Sequence, residues 1–271
     1  MAEQAQLQIA IAGASGRMGR ALLEAVGAMP DTEICSVLDH AASALIGTDA
    51  GLLSNKAAGI AISANLDVAL AMADVLIDFT RPEGTLEHLE VCKKLGVNMV
   101  IGTTGFSAAE KQQIEIASEE IAIVFAPNMS VGVNVMLKLV DLAAKALHAQ
   151  YDIEVIESHH KLKVDSPSGT ALQLGEVAAQ AMGRSLQDIA VFDRHGNTGV
   201  RAPGTIGFSA TRGGDIIGEH TVMFAGTGER IEISHRSSSR TNYAEGAMRA
   251  AVFLKHKRRG LYDMADVLGL K

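Results

Sequence analysis

The stretch Leu7-Gln8-Ile9-Ala10-Ile11-Ala12-Gly13-Ala14-Ser15-Gly16-Arg17-Met18-Gly19 decides the reading of the fold. Its first half is an apolar run of strand length that ends at a glycine. The glycines then recur as GxxGxxG rather than the commoner GxGxxG, and residues 17–29 carry a helical pattern that stops near Pro30. A strand turning through glycines into a helix brings backbone close to a pyrophosphate. The helix head offers that anion unpaired N–H groups and a positive dipole end. Tight turns explain most glycine runs taken alone. This one stands at the first strand–helix junction, which makes Gly13, Ala14, Ser15, Gly16, Arg17 and Met18 candidate dinucleotide contacts.

Working outward, residues 33–38 read as the second strand, and Asp39 ends it, 20 residues after Gly19. An acid there accepts hydrogen bonds from the adenosine ribose hydroxyls. A solvated strand-end carboxylate is the plain alternative, and the glycine turn at the right distance favours the ribose role. A carboxylate also repels the 2′-phosphate of NADPH. NADH is therefore the preferred cofactor expected here, with NADPH tolerated because Arg17 and His40 lie nearby in sequence.

Further strands at 75–79, 98–101 and 121–125 alternate with helices at 85–95 and 108–119, the pattern of βαβ units in a doubly wound parallel sheet. The segments Phe79-Thr80-Arg81-Pro82, Gly102-Thr103-Thr104-Gly105 and Ala126-Pro127-Asn128-Met129 follow strands, where open α/β sheets bind ligands. Their small and hydroxyl side chains admit a nicotinamide ring, although turn chemistry explains each loop by itself. Gly102, Thr103, Thr104, Ala126, Pro127, Asn128 and Met129 join the cofactor candidates.

After Asn128 the pattern changes. A strongly apolar helix at 133–148 leads to a strand at 152–157, a polar loop at 159–168 and a helix at 170–182. Strands at 205–211, 216–224 and 230–235 follow, then a helix at about 242–254. The turns Arg212-Gly213-Gly214-Asp215 and Gly226-Thr227-Gly228 predict antiparallel neighbours. The organisation expected is a dinucleotide-binding domain of residues 1–129 plus 241–271 and an α+β domain of residues 130–240. The second carries a mixed, mostly antiparallel sheet. One long helix beyond the boundary helix covers one face of that sheet. Ile206, Phe208, Val222 and Phe224 are expected on the other, which predicts a homo-oligomer built on the sheet.

Composition sets the class. Hydrophobic residues are 48% of 271, enough for full cores, and charged residues are 20%, as in globular chains. Lys and Arg number 24 against 31 Asp and Glu, a net charge of −7 that argues against a nucleic-acid partner. Cys35 and Cys92 form no paired motif, so no disulfide framework or cysteine metal site is expected. The polar N-terminus lacks a secretory pattern and no apolar run has membrane-spanning length, so a cytoplasmic chain without a membrane partner is expected.

The chemistry concentrates in Glu157-Ser158-His159-His160-Lys161-Leu162-Lys163-Val164-Asp165-Ser166-Pro167-Ser168-Gly169-Thr170-Ala171. Four cationic or titratable groups fall within five residues, and a helix follows. Ser168 is a natural N-cap, and Ser168, Gly169 and Thr170 offer N–H groups to a carboxylate. Histidine exchanges protons near neutral pH, and lysine holds an anion or donates a proton. A His-His pair can bind metal, but no third ligand has suitable spacing, and no metal is expected.

Several segments together resemble the 4-hydroxy-tetrahydrodipicolinate reductases, also called dihydrodipicolinate reductases. They are GASGRMG at 13–19, DFTRPEGT at 78–85, VIGTTGF at 100–106, FAPNMSVGVNV at 125–135, ESHHKLKVDSPSGTA at 157–171 and PGTIGFSATRGGDIIGEHTVMF at 203–224. They occur in family order over about residues 7–270, and the histidine–lysine segment is the most diagnostic. The resemblance implies a Rossmann-type first domain and a homotetramer assembled through the second. It implies that His159 is a proton donor or acceptor and Lys163 a proton donor. It further implies that His160, Gly169 and Thr170 contact substrate, that Arg240 binds a carboxylate, and that the cofactor lines the glycine turn, Asp39 and the two later loops. His40 departs from members with arginine after the acid, which argues against a strong NADPH preference.

The implied reaction reduces a small cyclic dicarboxylate. The 4-hydroxy-tetrahydrodipicolinate loses water, and nicotinamide hydride reduces the resulting double bond to give tetrahydrodipicolinate, a precursor of lysine and diaminopimelate. Its expected setting is a pocket facing the nicotinamide across an interdomain gap. A semialdehyde dehydrogenase needs a cysteine nucleophile, and Cys35 and Cys92 lie in a predicted strand and helix rather than a site loop. Homoserine dehydrogenase or another two-domain dehydrogenase is the remaining enzyme alternative. A non-catalytic NAD(H)-sensing regulator would keep the glycine turn and Asp39 without requiring the histidine–lysine segment.

Overall fold

The computed structural model describes residues 6–26, 29–54 and 59–271. The N-terminal residues 1–5, read as lacking a secretory pattern, and residues 27–28 of the expected first helix lie outside them. The chain divides into two compact units, Met1–Val131 with Arg240–Lys271, and Gly132–Ser239.

The first unit opens with β1 (Leu7–Ala12), α1 (Arg17–Val26), β2 (Thr32–Leu38), a 3-10 turn (Ala50–Leu53), β3 (Ile62–Ser63) and α2 (Leu66–Leu70). It continues through β4 (Val75–Asp78), α3 (Pro82–Leu95), β5 (Asn98–Ile101), α4 (Ala108–Ala117) and β6 (Ala122–Phe125). The second unit holds α5 (Val131–Leu147), β7 (Asp152–His159), α6 (Gly169–Ala181), α7 (Leu186–Ile189), β8 (Ala190–Val191), β9 (Ile206–Arg212), β10 (Gly218–Ala225) and β11 (Arg230–Ser237). The chain then returns to the first unit with α8 (Thr241–Leu254), β12 (Gly260–Tyr262) and α9 (Met264–Leu268).

The first sheet is wholly parallel, in the order β12-β6-β5-β4-β1-β2-β3. Parallel sheets need helices on both faces, and the alternation along β1 supplies two apolar sides. Ile9 and Ile11 enter one core with Leu22 of α1 and Ala247 of α8, while Ala10 and Ala12 enter the other with Leu89 and Cys92 of α3 and Ile114 of α4. Cys92 is thus a core residue. The strand order reverses between β1 and β4, which places the ends of these neighbours, Ala12 and Asp78, side by side. That is the switch point where doubly wound sheets bind ligands.

Helix α3 starts three residues before the expected 85. Pro82 sits in its first turn with φ already set for a helix, and Gly96, at φ 72°, closes the other end by donating to the Cys92 and Lys93 carbonyls. Strands β3 and β12 and helices α2 and α9 were not anticipated.

The second sheet runs β11-β10-β7-β9-β8. It is mixed, as expected: β10 pairs antiparallel along its length with β7 and β11, while β9 pairs parallel with β7 and with the short β8. The turn at Gly226–Gly228 does join an antiparallel hairpin. The turn after Arg212 does not, because it wraps the end of β7, with Gly213 N–H donating to the His159 carbonyl and Lys161 N–H to that of Gly214.

The placement of the four apolar side chains is also corrected. Ile206, Phe208, Val222 and Phe224 lie on the covered face, packed with Met136 and Val140 of α5 and Leu174 and Ala178 of α6. The boundary helix and α6 share that face. The opposite face carries Glu154, Ile156, Ser158, Thr221, Met223 and Ser234, a largely polar surface.

Candidate functional site

In the first unit, the turn after β1 is built by three glycines with different tasks. Gly13 has φ 78°, a left-handed backbone that side chains disfavour, and a Cβ there would stand 3.0 Å from Thr80 Cγ2. A Cβ on Gly16 would meet the Gly13 carbonyl oxygen at 3.1 Å. On Gly19 it would meet the same oxygen at 2.2 Å, so only glycine lets the head of α1 press onto the turn. The Gly13 and Ala14 N–H groups both donate to the Leu38 carbonyl, tying the turn to the end of β2.

Asp39 follows that end. It is buried, and accepts from Ser15 N–H (3.2 Å), Ser43 Oγ (2.8 Å) and His40 N–H (3.0 Å). Burial pushes its carboxyl up, but these donors outweigh burial and hold it below the usual carboxylate range. Ser15, Gly16 and Arg17 are exposed at the turn and His40 beside it, whereas the Ala14 side chain is fully buried.

Thr103, Ala126 and Met129 also have buried side chains. Thr104 and Pro127 are exposed, and Asn128 accepts from Ser130 N–H. A hydroxyl–carboxylate network that sequence reasoning missed underlies these loops. Asp78, fully buried, accepts from Thr80 N–H (2.8 Å), Thr80 Oγ1 (2.7 Å) and Thr103 Oγ1 (3.4 Å), and His88 Nδ1 lies 2.7 Å from its other oxygen. Gly102 lies against the Phe79 ring, where a Cβ would come within 2.1 Å of the ring edge.

In the second unit, period-2 alternation along β7 turns Ile153, Val155, Glu157 and His159 to the covered face. The first two join the core, and the last two extend the same face as polar residues. Glu157 is 1% exposed yet fully engaged. Arg212 grips it with two hydrogen bonds (2.7 and 2.8 Å), Ser168 N–H donates at 3.1 Å, and His159 Nδ1 lies at 2.5 Å. Burial pushes the Glu157 carboxyl up, but these donors hold it below the usual range.

Burial pushes His159 down, and the charges of Lys163 and Arg212 add to this against the pull of Glu157. The balance favours the neutral imidazole. The His220 ring lies 5.2 Å away edge to face, and burial pushes His220 down to about 4.

Lys163 pairs with Asp165 at 2.9 Å, and Arg212 donates to the Asp165 carbonyl, so the lysine loop is tied to the same carboxylate clamp. Ser168 departs from the expectation. It caps α6 through Oγ and Ala171 N–H, but its own N–H is spent on Glu157 and Oγ also meets His220 Nε2 at 3.1 Å. These contacts tie Ser168 to Glu157, His220 and the head of α6. Gly169 is exposed at the head of the 13-residue helix, with open space where a side chain would stand.

Nδ1 of His160 is buried and has no hydrogen-bond partner among the described residues. Arg240 falls in the first unit, at the residue preceding α8. The roles of Glu157, Arg212 and His220 were missed. The alternation of β7 signalled that Glu157 is buried, but Arg212 lies 55 residues away and no local pattern names it.

Residues 7–129 match the family model described as dihydrodipicolinate reductase, N-terminus, and residues 132–268 match its C-terminus counterpart. The chain belongs to the dihydrodipicolinate reductase family. The 4-hydroxy-tetrahydrodipicolinate reductase of Nitrosospira multiformis is 59% identical over 98% of both chains. That of Cupriavidus pinatubonensis is 61% identical over 98% of this chain and all of the relative. A dipicolinate-bound dihydrodipicolinate reductase from Paenisporosarcina sp. TG-14 superposes with a TM-score of 0.77 at 26% identity, covering 96% and 98% of the two chains.

Family membership makes the chain an NAD(P)H-dependent oxidoreductase, with a Rossmann-type first unit for the nucleotide and a second unit on a mixed sheet. Among the described residues, no group of three or more His, Cys, Asp and Glu is placed to hold a metal ion, and no helix is long and apolar enough to cross a membrane.

Proposed function

We propose that this member of the family reduces dehydrated 4-hydroxy-tetrahydrodipicolinate to tetrahydrodipicolinate, on the route to diaminopimelate and lysine. The observation that carries the reading lies in the second unit, where the exposed head of α6 at Gly169 follows the loop of His159, His160 and Lys163. A dicarboxylate needs cations and N–H donors, and a negative charge developing at the reduced centre needs a nearby proton source.

The turn at Gly13–Gly19 and the acid Asp39 fit a dinucleotide, since glycines hold the head of α1 tight against the turn and a helix head favours an anion. Gly13 to Met18, Asp39, Gly102 to Thr104 and Ala126 to Met129 are the residues proposed to hold it. When bound, the reduced nicotinamide supplies the hydride. Gly169 and Thr170 hold one substrate carboxylate, and His160 and Arg240 are further substrate contacts. Lys163 Nζ supplies a proton, and His159 exchanges one through its ring. The ionised Asp39 disfavours a 2′-phosphate, so NADH is the preferred cofactor and exposed Arg17 and His40 let NADPH be tolerated.

The assembly proposed is a homotetramer through the second unit. Support comes from Val135, Leu139 and Leu142, an exposed apolar stripe on α5, and from Ile156 on the open sheet face. A monomeric mass by light scattering would overturn it.

The function is tested by adding freshly generated 4-hydroxy-tetrahydrodipicolinate to the chain with NADH. Substrate-dependent loss of nicotinamide absorbance is expected, with a higher kcat/KM for NADH than for NADPH. Cofactor binding without turnover would reject the reading in favour of a sensor.

A further inference from the structure

This inference rests on the proposed proton-handling role of His159. We infer that Glu157, clamped by Arg212, is a positioning residue that holds His159 in its Nδ1–H tautomer and leaves Nε2 as the proton-accepting atom of the ring.

The geometry supplies each link. An ionised carboxylate only accepts hydrogen bonds, so the 2.5 Å contact to Glu157 Oε2 requires the proton to sit on His159 Nδ1. The fork from Arg212 to both oxygens keeps the carboxylate ionised and fixes its plane, and Ser168 N–H takes a further acceptor direction. Arg212 is itself anchored, donating to the carbonyls of Thr211 (2.7 Å) and Asp165 (2.6 Å). The carboxylate therefore cannot turn away without breaking several charge-assisted bonds.

His159 Nε2 makes no hydrogen bond among the described residues, and Gly218 leaves it room, since a Cβ there would stand 3.1 Å from that atom. The charged and titratable groups around the ring are Glu157 on β7, Arg212 on β9, His220 on β10 with His235 beyond it on β11, and Lys163 with Asp165 on the loop. Only Glu157 accepts from the ring. A pair serving stability alone needs no third partner, whereas here the clamped carboxylate meets the ring nitrogen whose proton decides which end reacts.

The test uses the whole chain labelled with nitrogen-15. Long-range proton–nitrogen spectra near neutral pH report the tautomer of His159, identified by its loss in His159→Gln. A neutral ring protonated at Nδ1 is expected; protonation at Nε2, or an imidazolium, overturns the inference.

Glu157→Gln is expected to lose the single tautomer and to lower kcat by about 10- to 100-fold, with KM for the dicarboxylate and affinity for NADH little changed. The acid limb of its kcat/KM profile moves to lower pH, because the carboxylate no longer favours the protonated ring. An unchanged tautomer with wild-type kcat, or a parallel loss of kcat and binding, overturns the positioning role. Should Glu157→Gln not fold, the wild-type spectrum still decides. A wild-type chain that shows the Nδ1–H tautomer but no turnover would sink the reductase reading and not the tautomer.

Discussion

Replacing Gly246 by alanine sets two effects of opposite sign against each other. Gly246 lies inside α8, and alanine in a helix interior is favoured over glycine by about 1 kcal/mol. Helix propensity alone therefore predicts a more stable chain. The structure predicts the reverse. A Cβ at Gly246 would stand 1.8 Å from the Met129 carbonyl oxygen and 2.8 Å from its carbonyl carbon, against a limit near 3.0 Å for real contacts. The obstacle is backbone and cannot rotate away. Met129 is itself packed in the core of the first unit, so helix and loop must part by roughly 1 Å against that packing.

Forced insertions into packed cores cost about 1–3 kcal/mol, and the upper part of that range, about 2–3, applies where backbone must move. After the gain in propensity, a net loss on the order of 1–2 kcal/mol remains, a fall in Tm of about 2–4 °C per kcal/mol. Gly175 in α6 is the internal comparison. Its added Cβ would meet the tip of the Phe208 ring at 2.5 Å, a side chain that can yield, and the loss there is smaller. Thermal unfolding of the two variants and the parent at one pH measures both. A Gly246→Ala Tm equal to or above the parent refutes the argument that α8 buttresses the 126–129 loop through this contact.

Other outcomes follow from the same geometry. Gly19→Ala places a Cβ 2.2 Å from the Gly13 carbonyl oxygen, so NADH affinity measured by fluorescence titration should fall at least tenfold; unchanged affinity would separate the turn from the cofactor site. Burial holds folded His220 at about 4 against 6.5 for the free side chain, so the unfolded chain binds the extra proton between those values. The corresponding stability is complete above pH 6.5 and is lost as pH falls toward 4, about 3 kcal/mol in all. His220→Gln should flatten denaturant midpoints over this window, and an equally steep decline in the variant would reject the assignment.

How much of this was legible in sequence depended on range. The β1–turn–α1 unit was readable because an apolar run, three glycines and an amphipathic helix are contiguous, and β1 and β5 begin and end where residues 7–12 and 98–101 were read. Strands β3 and β12, two and three residues long, are too short for a period to register. The pairing of β9 with β7 was hidden because a glycine turn resembles a hairpin whether or not its strands are neighbours. Alternation correctly grouped Val222 with Phe224 and Ile206 with Phe208, but could not say that α5 and α6 would cover their side. The histidine–lysine loop was conspicuous by composition, while its support was not: Glu157 is an acid continuing an apolar face, and its partner Arg212 arrives through the non-local pairing of β7 with β9.

The division of labour at the centre of this account puts proton chemistry on His159 and nucleotide binding on the first unit, and one variant tests it. His159→Gln should lower kcat for 4-hydroxy-tetrahydrodipicolinate by about 100-fold or more while NADH binds as in the parent. Turnover near the parent rate, or NADH affinity that collapses together with kcat, would contradict it.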